Sequence, residues 1–294
     1  LDCTIWKLNL TNYISTSFNQ MVAATGRLSS TEPNLQNIPI RTNEGFAIRG
    51  TFVVGKDFET LLTADYSQIE LRVMAHLSND PGLIAALKTG EDLHTTVGSQ
   101  VFGVAPEKVD ADMRRQIKAM SYGLAYGLSA FGLSQQLGIS PVAAQELMNN
   151  YFERFGGIRD YLADVVIEAR KVGYTETILG RRRYLPDLQS DVKTRRDIAE
   201  RMALNAPIQG SASEIMRLAM ISIDQKFKEI KNNKSKILLQ IHDELIFEVP
   251  EKEAKNITKI IKEEMTSVTN SDLHAFSIPL TVDINTGDNW GVLH

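Results

Sequence analysis

Two acids stand out by where they fall. Asp65 ends the apolar run Leu61-Leu-Thr-Ala64 and is followed at once by Ile69, Val73, Met74 and Leu77 at helical spacing. That pattern predicts a strand-to-helix junction, where a carboxylate points out of a sheet toward a ligand while the core holds its backbone. Asp243 lies in the polar His242-Asp243-Glu244 between two apolar runs, as at the tip of a hairpin. Two carboxylates from separate strands suit a pair of Mg²⁺ ions about 3.5–4 Å apart, which stabilise the attacking and leaving oxygens of phosphoryl transfer. Mg²⁺ favours carboxylate, phosphate and water oxygens, so few protein ligands suffice. The plainer reading is a pair of surface acids beside turns, and sequence separation alone does not bring them together.

A second constellation is Arg114-Arg-Gln-Ile-Lys-Ala-Met-Ser-Tyr-Gly-Leu-Ala-Tyr-Gly127. On a helix, positions four apart drift only about 40° per step, so Arg114, Lys118, Tyr122 and Tyr126 share a stripe. Two cations followed by two rings can bind a triphosphate and stack a base, at ~1–3 kcal/mol per stacked base. Gly123 and Gly127 allow close approach of a ligand or another chain segment. The alternative is a partly buried helix with aromatic packing and solvated bases. Thr25–Asn37, broken by Gly26 and Pro33, is a polar loop carrying Arg27, Asn34, Gln36 and Asn37, either a binding surface or a solvated connection.

The elements that must position these residues follow from periodicity. Strands are expected at Phe52–Val54, Leu61–Ala64, in a hairpin over Lys236–Pro250, and at Pro279–Ile284, with a helix over Glu251–Met265. Between Ile69 and about Met220 the period is helical, with breaks such as Gly180–Pro186 and an N-cap at Ser140-Pro141. Strands at both ends of the chain around a long helical middle predict an α+β fold.

Composition is that of a globular protein, with 294 residues, 43% hydrophobic and 23% charged. A net charge of −4 gives no bulk attraction to nucleic acid or an anionic membrane, so any basic surface is local. Residues 101–200 hold fourteen Lys and Arg against seven in the first hundred, which directs attention to the middle of the chain. The single cysteine, Cys3, excludes an internal disulfide and a multi-cysteine zinc site, and fits a reducing compartment. No apolar run approaches the ~20 residues of a membrane span.

Taken in order, Asp65-Tyr-Ser-Gln-Ile-Glu-Leu-Arg72, the Arg114 to Gly127 helix and Gln240-Ile-His-Asp-Glu244 resemble motifs A, B and C of family A DNA polymerases. The bacterial polymerase I type, of the actinobacterial kind, is the most similar. Thr25–Pro39, Glu91-Asp-Leu-His-Thr95 and Ala206–Ala212 extend the resemblance over roughly residues 17–294. It implies an antiparallel-sheet palm with a large, mainly helical fingers insertion, lacking most of the thumb. Palm would occupy 19–75 and 191–294 and fingers 76–190, with 1–18 unassigned. The implied activity is template-directed 5′–3′ DNA synthesis, nucleotidyl transfer from a dNTP to a primer 3′-hydroxyl by a two-metal mechanism using two Mg²⁺.

Residue by residue, the resemblance makes Asp65, Asp243 and the backbone carbonyl of Tyr66 metal ligands, and Lys118 catalytic beside the two aspartates. Glu70, His94, Arg114, Lys118, Tyr122 and Tyr126 would bind the dNTP, Glu70 by closing over the sugar C2′ position. Ser67-x-x-Glu70 also fits a capping box. Arg27, Asn34, Asn37, Gln209, Gln240 and His242 would bind DNA, where minor-groove acceptors shared by all base pairs allow a check of pair shape. Implied partners are primer–template DNA and dNTPs, with no membrane, for a monomer with upstream domains outside this chain in a bacterial cytoplasm, near the nucleoid.

The family's thumb lies upstream of the Thr25–Asn37 loop, where this chain has only about eighteen residues. The alternative is therefore a non-catalytic primer–template-binding fragment, inactive for lack of a thumb. A P-loop nucleotidase is disfavoured, because Gly127-x-x-x-x-Gly132 is followed by Leu133 in place of Lys.

Overall fold

The apolar runs become strands of antiparallel sheets and the helical-period stretches become helices. The computed structural model describes residues 3–5, 14–40, 42–56, 58–88, 92–268 and 276–293. Its strands are β1 (Cys3–Ile5), β2 (Ile14–Asn19), β3 (Ser29–Thr31), β4 (Thr60–Tyr66), β5 (Tyr174–Glu176), β6 (Arg182–Tyr184), β7 (Lys236–Ile241), β8 (Glu244–Val249) and β9 (Val282–Gly287). Its α-helices are α1 (Asn43–Gly50), α2 (Ile69–Ser78), α3 (Pro81–Lys88), α4 (Leu93–Phe102), α5 (Ala111–Ala125), α6 (Ala130–Leu137), α7 (Pro141–Arg154), α8 (Gly156–Val172), α9 (Lys193–Glu229) and α10 (Glu251–Ser267). The architecture is α+β, as expected. Most of the unassigned segment 1–18 lies outside the described residues; its end belongs to β2.

The chain divides into two compact units. One comprises Leu1–Ser67, Ser213–Leu273 and Leu280–His294; the other Gln68–Ala212 and His274–Pro279. The boundaries read from the sequence, after residues 75 and 190, fall inside the second of these.

In the first unit the main sheet has the order β7-β8-β4-β9, antiparallel throughout. β8 and β4 are central, and all six residues of β8 are buried, as are Leu61 to Ala64. Such continuous burial marks strands covered on both faces. Leu61 and Ile246 join a cluster with Leu35, Phe52, Leu239 and Trp290. The opposite face carries Phe247, whose ring centroid lies 6.1 Å from that of Phe227 on α9. α10 packs against β4, β8 and β9 through Ile257, Ile261 and Met265, spaced four apart along one stripe. The Tyr66 hydroxyl donates to the Met265 carbonyl at 2.7 Å, tying the strand that carries Asp65 to this helix.

The second unit is helical around Met74, Leu83, Ile117, Tyr151, Phe155 and Ile158, all buried. Asp80 organises one corner: one carboxylate oxygen accepts from Leu83 N–H and the other from Gly157 N–H, both at 2.9 Å. Ser140 caps α7 as expected, accepting from Ala143 N–H at 3.1 Å with Pro141 in the first turn.

Four expectations change. Phe52–Val54 forms only an isolated bridge, Val53 to Asn289, because Phe52 instead turns inward onto Trp290, rings 5.4 Å apart. The last strand is displaced to Val282–Gly287 by pairing with β4. The Thr25–Asn37 loop contains β3 and a 3₁₀ turn, with Ser30, Leu35 and Gln36 buried. The break at Gly180–Pro186 is part of the β5–β6 hairpin, where Arg182 lies 4.5 Å over the Tyr174 ring and pairs with Glu176 at 2.6 Å.

Candidate active site

Antiparallel pairing gathers acids at one end of the first unit's sheet. Asp65, next to last in β4, stands opposite Glu244 of β8 on one side and Asp283 of β9 on the other. Asp243 occupies the two-residue turn between β7 and β8, and its carbonyl accepts from Tyr66 N–H at 3.0 Å. The two acids that the sequence singled out are thus neighbours across one ladder.

Their environment carries an excess of negative charge. The Asp65 side chain reaches solvent, yet the atoms crowded round its carboxylate strip much of its hydration. Burial first, then the charges of Asp243 and Asp283, push its pKa up from 3.8 to about 7. Glu244 is pushed to about 8, by burial and then by Asp65, against the opposing pull of Arg49 and a bond from Thr63. A cation among these oxygens would reverse both trends. Among the described residues no group of three or more His, Cys, Asp or Glu is placed to hold a metal by itself. Carboxylate oxygens are donors of the kind that hard cations accept.

The surrounding loops supply the DNA-binding candidates of this unit. The Arg27 guanidinium lies 3.9 Å from the Asp243 carboxylate. Asn34 is exposed and caps the 3₁₀ turn, accepting from Gln36 N–H at 3.0 Å; Asn37 and His242 are also exposed. Gln240 is buried, its amide bonded to Gln36 and to the His242 carbonyl. It stands behind the turn and not on the surface.

The dNTP-binding candidates lie in the second unit. Asp110 caps α5, accepting from Met113 N–H at 2.8 Å, and the helix carries Arg114, Lys118 and Tyr122 on one face. Arg114 pairs with Asp92 at 2.5 Å. Burial works to raise the Asp92 pKa, but the Thr95 hydroxyl, Arg114 and the His94 amide together hold it below the usual carboxylate value. His94 is buried 6.1 Å from the Tyr122 ring, and its Nδ1 has no partner among the described residues. Burial lowers its pKa, with Lys118 and Arg114 adding to the effect and Asp92 opposing it. The His94 ring thus lies buried on the same side of this unit as the Lys118 and Arg114 cations, with one ring nitrogen unbonded among the described residues.

Tyr126 falls just past the end of α5, and its hydroxyl donates to the buried Glu70 at 2.8 Å. The capping box does not form: α2 is preceded by Gln68 in a left-handed conformation with no side-chain cap, and the Ser67 hydroxyl donates to Asp283 at 2.5 Å. Gly127 also takes a left-handed φ of +66° and stops the helix, while Gly123 admits Leu128 so closely that a Cβ would stand 2.7 Å from it. Both glycines serve packing of the chain on itself. Gln209 is half-buried within α9. Sequence reasoning missed Asp283, Glu244 and Arg49. The strand-end position of Asp283 held a signal, but only knowledge of the β4–β9 register reveals that it faces Asp65.

Carboxylates gathered at a sheet end and a cationic helix face are residue types that phosphoryl-transfer proteins use. The chain is a member of DNA polymerase family A, whose family model matches residues 4–292. It is 57% identical over 281 residues to DNA polymerase I of Mycobacterium leprae, covering 95% of this chain and 30% of that protein. DNA polymerase I of Bacillus subtilis is 47% identical over 277 residues, covering 94% of this chain and 31% of that one. Among solved structures, the POL domain of Pol1 from M. smegmatis, in complex with DNA primer-template and dNTP, superposes with a TM-score of 0.91 at 56% identity. That match covers 96% of this chain and 48% of the other. The chain thus spans under a third of the length of these curated relatives. Among the described residues no helix is long and apolar enough to cross a membrane.

Proposed function

We propose that the chain carries the catalytic core of template-directed 5′–3′ DNA synthesis, joining a dNTP to a primer 3′-hydroxyl. The observation that carries this reading is the meeting of Asp65 and Asp243 at one end of the sheet. Palm is assigned to 19–75 and 191–294 and fingers to 76–190. Asp65, Asp243 and the Tyr66 carbonyl would hold two Mg²⁺, which when bound lower the pKa of the primer hydroxyl and neutralise charge on the phosphates. The backbone bond from Tyr66 to Asp243 fixes the two acids in one register, so neither has to be recruited during reaction. Lys118 and Arg114, with His94, orient the triphosphate and offset the charge that shifts onto the leaving pyrophosphate. Arg114 enters already paired with Asp92, which holds its guanidinium in place. Tyr122 stacks beside the incoming nucleoside; Tyr126 and Glu70 act as a bonded pair at the sugar. Arg27, Asn34, Asn37, Gln209, Gln240 and His242 are assigned to the primer–template, Gln240 acting from behind its turn.

The assay is extension of a labelled primer on a template by the purified chain with dNTPs and Mg²⁺. Template-dependent extension supports the reading. Measurable primer–template binding with no extension at high protein concentration would favour the non-catalytic fragment.

A further inference from the structure

A buried chain of hydrogen bonds runs from the Thr25–Asn37 loop to the turn that carries Asp243, and its polarity is fixed at both ends. It begins at Ser30 N–H, which donates to Gln36 Oε1 at 3.1 Å. A backbone N–H only donates, so the atom facing it must be the oxygen of Gln36. The Gln36 Nε2 therefore faces the other way, and donates to the backbone carbonyl of Gln240 at 3.1 Å and to its Oε1 at 3.0 Å. That in turn leaves the Gln240 Nε2 to donate to the His242 carbonyl, which only accepts. Reversing the Gln240 amide would set amino group against amino group at one end and oxygen against oxygen at the other.

The end of the relay is a constrained place. β7 and β8 are joined by two residues only, His242 and Asp243, and His242 holds a left-handed φ of +52°. Glycine is the residue usually found at such a position of a two-residue hairpin turn. A histidine there needs an external hold, and the bond from Gln240 supplies one. Gln36 is itself held, because the Ser30 hydroxyl bonds the Thr16 hydroxyl at 2.6 Å and accepts from Leu35 N–H at 3.0 Å.

We propose that Gln36 is a positioning residue: it sets the orientation of the Gln240 amide and, through it, the turn that presents Asp243. The claim rests on the metal-binding role given to Asp243 above. Gln36 is buried and acts through Gln240.

The test uses the purified chain with Mn²⁺ alone, its affinity read by electron paramagnetic resonance, and amide hydrogen exchange at Tyr66, whose N–H donates to the Asp243 carbonyl. Gln36→Met removes both ends of the relay; Gln36→Glu keeps the acceptor for Ser30 and nearly the same volume, guarding against a variant that fails to fold. Both are expected to weaken Mn²⁺ binding about tenfold, the low end for residues that orient ligands, and to speed Tyr66 exchange. Gln240→Leu should do the same, and the double variant with Gln36→Met should lose no more than Gln240→Leu alone. Where Asp243→Asn weakens Mn²⁺ binding, parent-like Mn²⁺ affinity in both Gln36 variants, or losses that add in the double variant, would overturn the relay. Should Asp243→Asn also leave Mn²⁺ binding unchanged, the metal reading fails, and Tyr66 exchange decides: faster in Gln36→Glu supports the relay, unchanged refutes it.

Discussion

Replacing Asp65 by asparagine should stabilise the protein while disabling it. The carboxylate is crowded by Asp243 and Asp283 and has lost much of its hydration, so its pKa rises from 3.8 to about 7. An acid whose folded pKa is raised adds nothing unfavourable below its unfolded value, and destabilises progressively as pH climbs through the folded one. At ~1.4 kcal/mol per tenfold change the full rise would be about 4 kcal/mol. The side chain reaches solvent, however, and screening reduces such terms to about 1 kcal/mol. For a domain of this size ~1 kcal/mol moves Tm by roughly 2–4 °C. Asp65→Asn, measured by thermal unfolding without added metal, should thus melt about 2–4 °C higher than the parent at pH 8.5, and close to it at pH 4. A divalent cation added at pH 8.5 should raise the parent's Tm and leave the variant's nearly unmoved. An equal gain at both pH values would show that amide packing, and not relief of charge crowding, is responsible. A loss at pH 8.5 would refute the argument outright.

The other predictions concern single contacts. Lys118→Ala should leave primer–template binding intact and cut single-turnover incorporation of a dNTP by about 10²–10³, the scale for removing one preorganised charge donor; steady-state and burst kinetics check it. Tyr126→Phe removes a bond to a buried carboxylate and should cost about 1.5–3 kcal/mol in urea unfolding. Arg49→Met breaks bonds to the Ile38 and Pro39 carbonyls, at 2.9 and 3.3 Å, and the stack 4.2 Å over Trp290. It also removes the positive charge that opposes the rise of the Glu244 pKa, so the Glu244 carboxyl should titrate at higher pH in the variant, read by carbon-detected NMR.

How much of this was legible depended on the kind of signal. The hairpin over Lys236–Val249 and the helix after it were readable because apolar runs, turn residues and period all agreed. The Ser140 cap was readable because serine followed by proline fits one local geometry. The β5–β6 hairpin was hidden, because its strands are three residues long and are held by an arginine stacked on tyrosine. Phe52 was misread as a strand residue because its partner, Trp290, lies far along the chain. The site divides in the same way. Asp65 and Asp243 could be picked out from strand ends, and the Arg114–Tyr122 stripe from helical geometry. Asp283, Glu244 and the orientation of Gln240 depend on strand register and buried hydrogen bonds, which no local pattern encodes.

Asp65 and Asp243 are proposed to act as one catalytic pair. Single-nucleotide incorporation on a primer–template, with Mg²⁺ and each dNTP in turn, tests it most directly. The parent chain should add only the complementary nucleotide, and Asp65→Asn and Asp243→Asn should each abolish addition while leaving primer–template affinity largely intact. Incorporation by either variant near the parent rate would contradict it.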